Sequence, residues 1–111
     1  MSHFEEASVA LGELAFAPPA PPVLLSDPAA ADRMMFIAFP AGWFGDWHPA
    51  PRRQFFFQLS GELEVEVGDG ELRRFAAGSV VLVEDLAGRG HTTRVVGDAE
   101  VRAAVVQLPA G

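Results

Sequence analysis

The sequence predicts an all-β domain, a sandwich or barrel, that follows an extended proline-rich strap. Two observations support this prediction. From residue 34 onward, short runs of β-branched and aromatic residues alternate with Gly, Pro and Asp, which is typical of all-β domains. Residues 62–67 alternate acidic and apolar side chains, the period-two pattern of a strand with one solvated face. We therefore expect no helix of ordinary length after residue 34.

The first 33 residues differ from the rest because they are rich in proline. Residues 17–22 read APPAPP, and Pro28 follows soon afterwards. Proline fixes φ and biases the residue before it towards extended geometry. We therefore expect residues 1–33 to form an N-terminal extension, a strap laid over the domain, with a flexible leader as the alternative. The barrel is assigned to residues 34–111.

Seven strands are predicted within the barrel, separated by turn-forming residues. They are Met34–Phe39, Gln54–Leu59, Glu62–Val67, Leu72–Phe75, Ser79–Glu84, His91–Val96 and Val101–Leu108. The pairs Ser60-Gly61 and Asp69-Gly70 suit the tight turns of successive hairpins, because glycine adopts positive φ without a Cβ penalty.

Composition narrows the class of partner. The chain has 15 acidic and 8 basic residues and a formal charge of −7, which disfavours nucleic acid and anionic membranes, so a small molecule is the expected partner. Residues 1–14 lack the basic region of a secretory signal, and no apolar run approaches the roughly 18 residues of a membrane helix. Cysteine is absent, which fits a reducing compartment, and a cytoplasmic location is expected.

Residues 42–61, GWFGDWHPAPRRQFFFQLSG, resemble the first cupin motif. That motif runs from Gly through five residues to His-x-His, then to Glu and to a second Gly. In register, these positions fall on Gly42, His48, Ala50, Gln54 and Gly61. The resemblance covers residues 35–108 and implies a small single-domain cupin, which is a double-stranded β-helix, or jelly-roll, barrel.

Residues 78–95 are similar to the second cupin motif. Gly78 and five residues lead to Glu84, and Gly88-Arg89-Gly90-His91 restores the Gly-x-x-His step. Val95 stands in the place of the motif's Asn, and the turn between Glu84 and Gly88 is two residues longer than the pattern. The resemblance thus assigns a second ligand position to His91.

The resemblance also implies a divalent metal held by His, His, Glu and His. This chain keeps His48 and His91, but Ala50 replaces the second His and Gln54 replaces the acid. If Fe²⁺, Mn²⁺ or Zn²⁺ is bound, the expected ligands are His48, Gln54 and His91. Because a neutral amide replaces a carboxylate, we expect binding to be weak or absent.

Strand parity extends the candidate site. If His48 points into the barrel, alternate residues of the following strand share its side wherever the backbone is extended. The candidate ligand-binding residues are Arg52, Gln54, Phe56 and Gln58. A satisfied core polar group is the alternative for each glutamine, and a solvated loop arginine is the alternative for Arg52.

Three functions remain open from the sequence. The first is a small-molecule-binding barrel, with catalysis by His48 and His91 as general acid and base left undecided. The second is a metal-dependent lyase, isomerase or dioxygenase with a weak His48/Gln54/His91 centre. The third is a structural module without an active pocket, which the polar inward set disfavours. Glu84 or Asp85 is expected to orient an imidazole, unless it only begins a turn.

Two further expectations concern contacts. The resemblance implies a homodimer, since small cupins commonly pair through an exchanged or abutting N-terminal strand, and we expect Val9–Phe16 or Val23–Leu25 at the contact. Trp43 and Trp47 flank Gly45, where they line a pocket entrance, form a dimer contact or fill the core.

Overall fold

The computed structural model describes residues 1–110, and this part of the chain is all-β, as predicted. Its strands are β1 Gly12–Leu14, β2 Val23–Leu25, β3 Arg33–Phe39, β4 Phe44–His48, β5 Gln54–Ser60, β6 Glu62–Val67, β7 Leu72–Ala76, β8 Val80–Val83, β9 His91–Val96 and β10 Val101–Gln107. None of the described segments forms an apolar helix of membrane-spanning length.

Two four-stranded antiparallel sheets build the barrel, and β1 and β2 pair separately. The first sheet has the order β3-β10-β5-β8, and the second has the order β4-β9-β6-β7. Every connection from β3 to β10 except the β6–β7 turn crosses from one sheet to the other. The crossings from β4 to β5 and from β8 to β9 lie at the same end of the barrel, which we call the mouth.

The seven predicted strands are all present, each within one residue of its predicted bounds. Strand β4 was not predicted, because Gly45 and Asp46 have low β propensity and interrupt the pattern. Pairing with β9 holds this segment extended nevertheless. Tertiary pairing here overrides local preference.

The core lies between the two sheets. Leu63, Val95 and Val101 are buried, and partly buried aromatic rings pack against them, among them Phe56 and Trp43. Trp43 therefore fills the core, which was one of the expectations for this residue.

The outer faces of the two sheets differ in chemistry. On the second sheet, Glu64 pairs with Arg74 and Arg94 in a charged ladder. On the first sheet, the strand register places ten apolar side chains outward, with Arg102 at one end. This apolar outer face comprises Met34, Phe36, Ala38, Phe55, Phe57, Leu59, Val80, Leu82, Ala104 and Val106.

The N-terminal extension is held to the barrel at its start. The Ser2 hydroxyl donates to the Gly90 carbonyl at 2.6 Å and accepts from the Gly68 amide at 2.7 Å. The Phe4 ring packs edge-on against Phe75, with centroids 6.0 Å apart. Residues 12–25 differ from the expected extended strap, because they form the β1–β2 hairpin, whose apolar side chains are largely exposed.

Candidate functional site

His48 and His91 lie side by side at the mouth. His48 ends β4 and His91 begins β9, and the two residues are direct cross-strand partners. Their ring centroids are 4.6 Å apart, with an interplanar angle of 57°. His91 also pairs with buried Val67, which places both histidines on the inward side of the second sheet. The structure therefore brings together the two histidines that the motif predicted.

Each imidazole is oriented by an oxygen acceptor at Nδ1. His48 Nδ1 lies 2.6 Å from the carbonyl oxygen of Asp46, and His91 Nδ1 lies 2.6 Å from Asp85 Oδ2. A carbonyl oxygen can only accept, so His48 carries its proton on Nδ1, and an ionised Asp85 favours the same tautomer for His91. In the neutral form of each ring, Nε2 then presents a lone pair, and neither Nε2 has a hydrogen-bond partner within residues 1–110. Asp85 thus occupies the orienting role expected for it.

Two backbone contacts hold the loops that carry this pair. The Ala50 amide donates to the Asp85 carbonyl at 2.9 Å, which ties the segment after β4 to the segment after β8. Gly90 has φ +75° and lies directly against the carbonyl group of His48. Position 90 requires glycine for two reasons. A Cβ would collide with the His48 backbone, and a positive φ is unfavourable for residues that have a Cβ.

A polar row lies at the mouth on the first sheet. Arg33 Nε and one of its terminal nitrogens donate to Gln107 Oε1 at 3.0 and 2.7 Å. Gln107 Nε2 in turn donates to Gln54 Oε1 at 3.1 Å. Arg33, Gln107 and Gln54 are consecutive partners across β3, β10 and β5. In the described part of the chain, no carboxylate pairs with Arg33.

The two walls of the mouth face each other across the barrel. Packed sheets stand about 10 Å apart, so a small molecule bound at this end of the barrel would lie between the imidazoles and the polar row. Such a molecule would meet lone pairs on one wall and a guanidinium on the other.

Arg52 and Phe56 have structural partners. Arg52 forms a 2.7 Å ion pair with Asp32 and donates to the Leu108 carbonyl at 3.0 Å, so it joins the segment before β3 to the end of β10. The Phe56 ring lies 6.2 Å from Phe39 and packs on the core cluster. Neither contact brings these side chains to the histidine pair.

Gln58 lies deep in the barrel and away from the mouth. It is 2% exposed, and its Nε2 donates to the carbonyls of Gly61 and Phe75 at 2.9 and 2.8 Å. Gln58 follows Gln54 by four residues, which is about 13 Å along a strand. The amide thus locks the β5–β6 turn to β7, as a core polar group does, and its buried Oε1 has no partner in the described structure.

Surface depressions of the described residues also lie outside this mouth. One, of about 480 Å³, runs along the apolar outer face beside Phe36 and Leu59. The other, of about 280 Å³, lies between residues 1–2 and the 87–90 loop. In the second region, the Arg89 guanidinium stacks on the Trp47 ring at 3.9 Å.

Comparison with known proteins decides the family. A family model described as a cupin domain matches residues 35–107. This chain belongs to the cupin family. No curated protein matches it.

Solved structures show the same fold for this cupin. A cupin 2 conserved barrel domain protein from Salinispora arenicola is 20% identical, with a TM-score of 0.59 over 92% of this chain and 76% of that one. A cupin domain from Bordetella pertussis is 15% identical, with a TM-score of 0.56 over 96% and 100%. A predicted oxalate decarboxylase from Thermotoga maritima is 17% identical, with a TM-score of 0.53 over 91% and 94%. At these identities, the likeness concerns the fold alone.

The four-ligand metal centre that the family implies does not fit this cupin. Ala50 is buried and offers no donor atom, and Gln54 Oε1 already accepts from Gln107. Among residues 1–110, no group of three His, Cys, Asp or Glu side chains is placed to hold an ion. The weaker His48/Gln54/His91 set stays a prediction, with Gln54 Oε1, which also accepts from Gln107, as its amide ligand.

Sequence reasoning missed Arg33 and Gln107. Both lie at strand ends, and neither belongs to a cupin motif. Their role follows only from strand pairing, which sets Gln107 between Arg33 and Gln54. Strand parity could have located Gln107, because it lies on the same face of β10 as the buried residues Val105 and Ala103.

Proposed function

We propose that this cupin binds a small organic molecule with an acidic group at the barrel mouth. The observation that carries this proposal is that two oriented imidazoles and Arg33, which has no acidic partner among residues 1–110, lie at one end of the barrel. The acidic group would bind the Arg33 guanidinium, which is a planar and always-charged donor. The rest of the molecule would lie against His48 and His91.

The charge distribution supports this ligand class. Of the eight arginines, all within the described residues, six form ion pairs with carboxylates. The remaining two are Arg33, bound to Gln107, and Arg89, stacked on Trp47. In a chain of net charge −7, a cation at the mouth that has no acidic partner in the described part of the chain favours an anionic ligand locally.

A second candidate is an enzyme that acts through the same pair. One specific observation favours it, because histidines that bind metals usually donate Nδ1–H or Nε2–H to a carboxylate or carbonyl, as both do here. A weak metal at His48 and His91 would then support lyase, isomerase or dioxygenase chemistry. Without a metal, the pair would act as general acid and base.

Calorimetric titration of acetate, succinate and benzoate against their neutral amides tests the proposal. We expect at least one carboxylate to bind, its amide to bind less tightly, and binding to weaken in His48→Ala and in Arg33→Gln. His3→Ala is the control, since His3 lies beside Glu5 in the N-terminal extension. Equal binding of acids and amides, or binding indifferent to both variants, contradicts the proposal.

Elemental analysis of protein purified without chelator tests the metal-dependent form of the second candidate. Near-stoichiometric Fe, Mn or Zn that His48→Ala and His91→Ala both abolish would favour the metal-dependent enzyme. Metal far below stoichiometry after addition of each ion would favour the metal-free binding site.

A further inference from the structure

The indole ring of Trp43 lies directly over Gly45. A Cβ added to Gly45 would collide with the Cη2 and Cζ3 atoms of Trp43, so the ring takes the space that a side chain at position 45 would fill. The φ of Gly45 lies outside the left-handed region, and the backbone alone would therefore accept a larger residue there. The close approach of the indole is what requires glycine at this position.

Gly45 faces the barrel interior just below the histidine pair. Gly45 and Thr93 are cross-strand partners, and Thr93 is buried. Thr93 follows His91 by two residues in β9, so both side chains point inward, about 7 Å apart along the strand. The Trp43 ring therefore lies inside the barrel, about one such step beneath the mouth.

Two phenylalanine rings continue this aromatic surface across to the first sheet. The ring centroids of Trp43 and Phe39 are 4.7 Å apart, and those of Phe39 and Phe56 are 6.2 Å apart. Phe56 follows Gln54 by two residues in β5, so on the first sheet too an aromatic residue stands one step beneath the polar row. We call Trp43, Phe39 and Phe56 the aromatic floor, and all three pack on the buried core.

A floor at this depth limits the length of an acid bound at the mouth. Such an acid would meet the imidazoles on one wall and Arg33 on the other, above the aromatic rings. Because packed interiors are dense and yield little, a hydrocarbon chain cannot extend down the barrel axis past these rings. A compact acid of few carbons lies across the mouth, whereas the end of a longer chain has to stay in solvent.

We propose that the aromatic floor makes the mouth selective for short-chain acids, and that Trp43 is the residue that sets the depth. This inference rests on the proposed function, because it names the size of the acid that the same mouth binds. The carboxylate binds the polar groups of the mouth, and the short apolar end rests on the floor. A smaller side chain in place of the indole opens the barrel interior to further methylene groups.

Calorimetric titration with acetate, butyrate, hexanoate and octanoate tests the proposal. For the unmodified chain, we expect the affinity to stop rising beyond butyrate. In Trp43→Leu, each methylene that enters the barrel should raise the affinity about fourfold, so hexanoate should bind about 15-fold more tightly than butyrate. Trp47→Leu is the matched control, since that indole stacks on Arg89 of the 87–90 loop, and it should keep the profile of the unmodified chain.

The double variant Trp43→Leu/Gly45→Val separates depth from general loosening of the barrel. Valine at position 45 refills the space that the indole leaves, so we expect affinity to level off at butyrate again. Circular dichroism confirms that each variant is folded, and the profile of the unmodified chain tests the proposal without any variant.

Two outcomes overturn this inference and leave the proposed function standing. The first is an affinity of the unmodified chain that rises steadily from acetate to octanoate. The second is a folded Trp43→Leu variant whose profile equals that of the unmodified chain. An unmodified chain that binds none of the four acids also overturns the inference, and the proposed function then stands or falls with succinate and benzoate.

Discussion

Gly90 packs its α-carbon against the backbone carbonyl of His48, at the point where the loop after β8 enters β9. The contact joins the two strands that carry the histidine pair. Gly90→Ala should therefore destabilise the fold and displace His48, whereas Gly88→Ala is a matched control with the same φ of +75° and open space around a Cβ. We expect Gly88→Ala to cost about 1 kcal/mol and Gly90→Ala clearly more, measured by urea denaturation. Equal losses would mean that the contact with His48 is not tight.

Asp85 fixes the tautomer of His91 through the 2.6 Å contact with Nδ1. Asp85→Asn should let His91 populate both neutral tautomers, because an amide can present either its oxygen or its nitrogen to the ring. Ring ¹⁵N chemical shifts report the tautomer directly. The control is Asp46→Asn, since Asp46 holds His48 through its backbone carbonyl. A single unchanged tautomer of His91 in Asp85→Asn would show that Asp85 does not orient the ring.

Gln58 holds the β5–β6 turn against β7 through two hydrogen bonds from Nε2. Gln58→Met keeps the length of the side chain but leaves two carbonyl groups without this donor. We expect a loss of about 1–3 kcal/mol in the free energy of unfolding. Gln54→Met, the same change on the same face of β5, should cost less because Gln54 is only half-buried. A larger loss for Gln54→Met than for Gln58→Met would contradict the structural role assigned to Gln58.

Glu64 couples stability to pH on the outer face of the second sheet. Hydrogen bonds from Arg94 and Arg74 hold the pKa of the Glu64 carboxyl below its usual range. A lowered folded-state pKa contributes stability above the unfolded pKa of about 4.3, and that stability is lost as pH falls through the folded value.

Glu64→Gln should therefore lower the urea midpoint near pH 7 and flatten its decline towards acid. Glu13→Gln is the control, because Glu13 lies in the exposed hairpin without an ion pair. If the urea midpoints of the unmodified chain and of Glu64→Gln fell equally steeply as the pH is lowered, the prediction would be contradicted.

The barrel was predictable because its strands repeat strong local signals. Alternation in Glu62–Val67 and glycine turns at Gly61 and Gly70 fixed strand bounds to within one residue. Strand β4 was missed because its Gly45 and Asp46 suit loops, and only pairing with β9 makes it extended. The hairpin of residues 12–25 was missed because proline-rich sequence gives little pairing signal.

The candidate site was predictable only in part. Motif spacing located His48 and His91, and parity placed Gln54 on their side of the barrel. Parity could not show that Gln58 lies about 13 Å further along the strand. Nor could it show that Gln107 links Arg33 to Gln54 by hydrogen bonds. Those relationships depend on strand register between distant segments, which a single sequence does not encode locally.

We propose that the histidine pair and Arg33 together form one ligand-binding mouth. Histidine-resolved NMR during titration of acetate, succinate and benzoate tests it most directly, because the chain has only three histidines. We predict that the ring signals of His48 and His91 shift together with the binding carboxylate, that Arg33→Gln abolishes these shifts, and that His3 stays constant. Unmoved His48 and His91 signals with every carboxylate at millimolar concentration, or shifts that persist in Arg33→Gln, would contradict the claim.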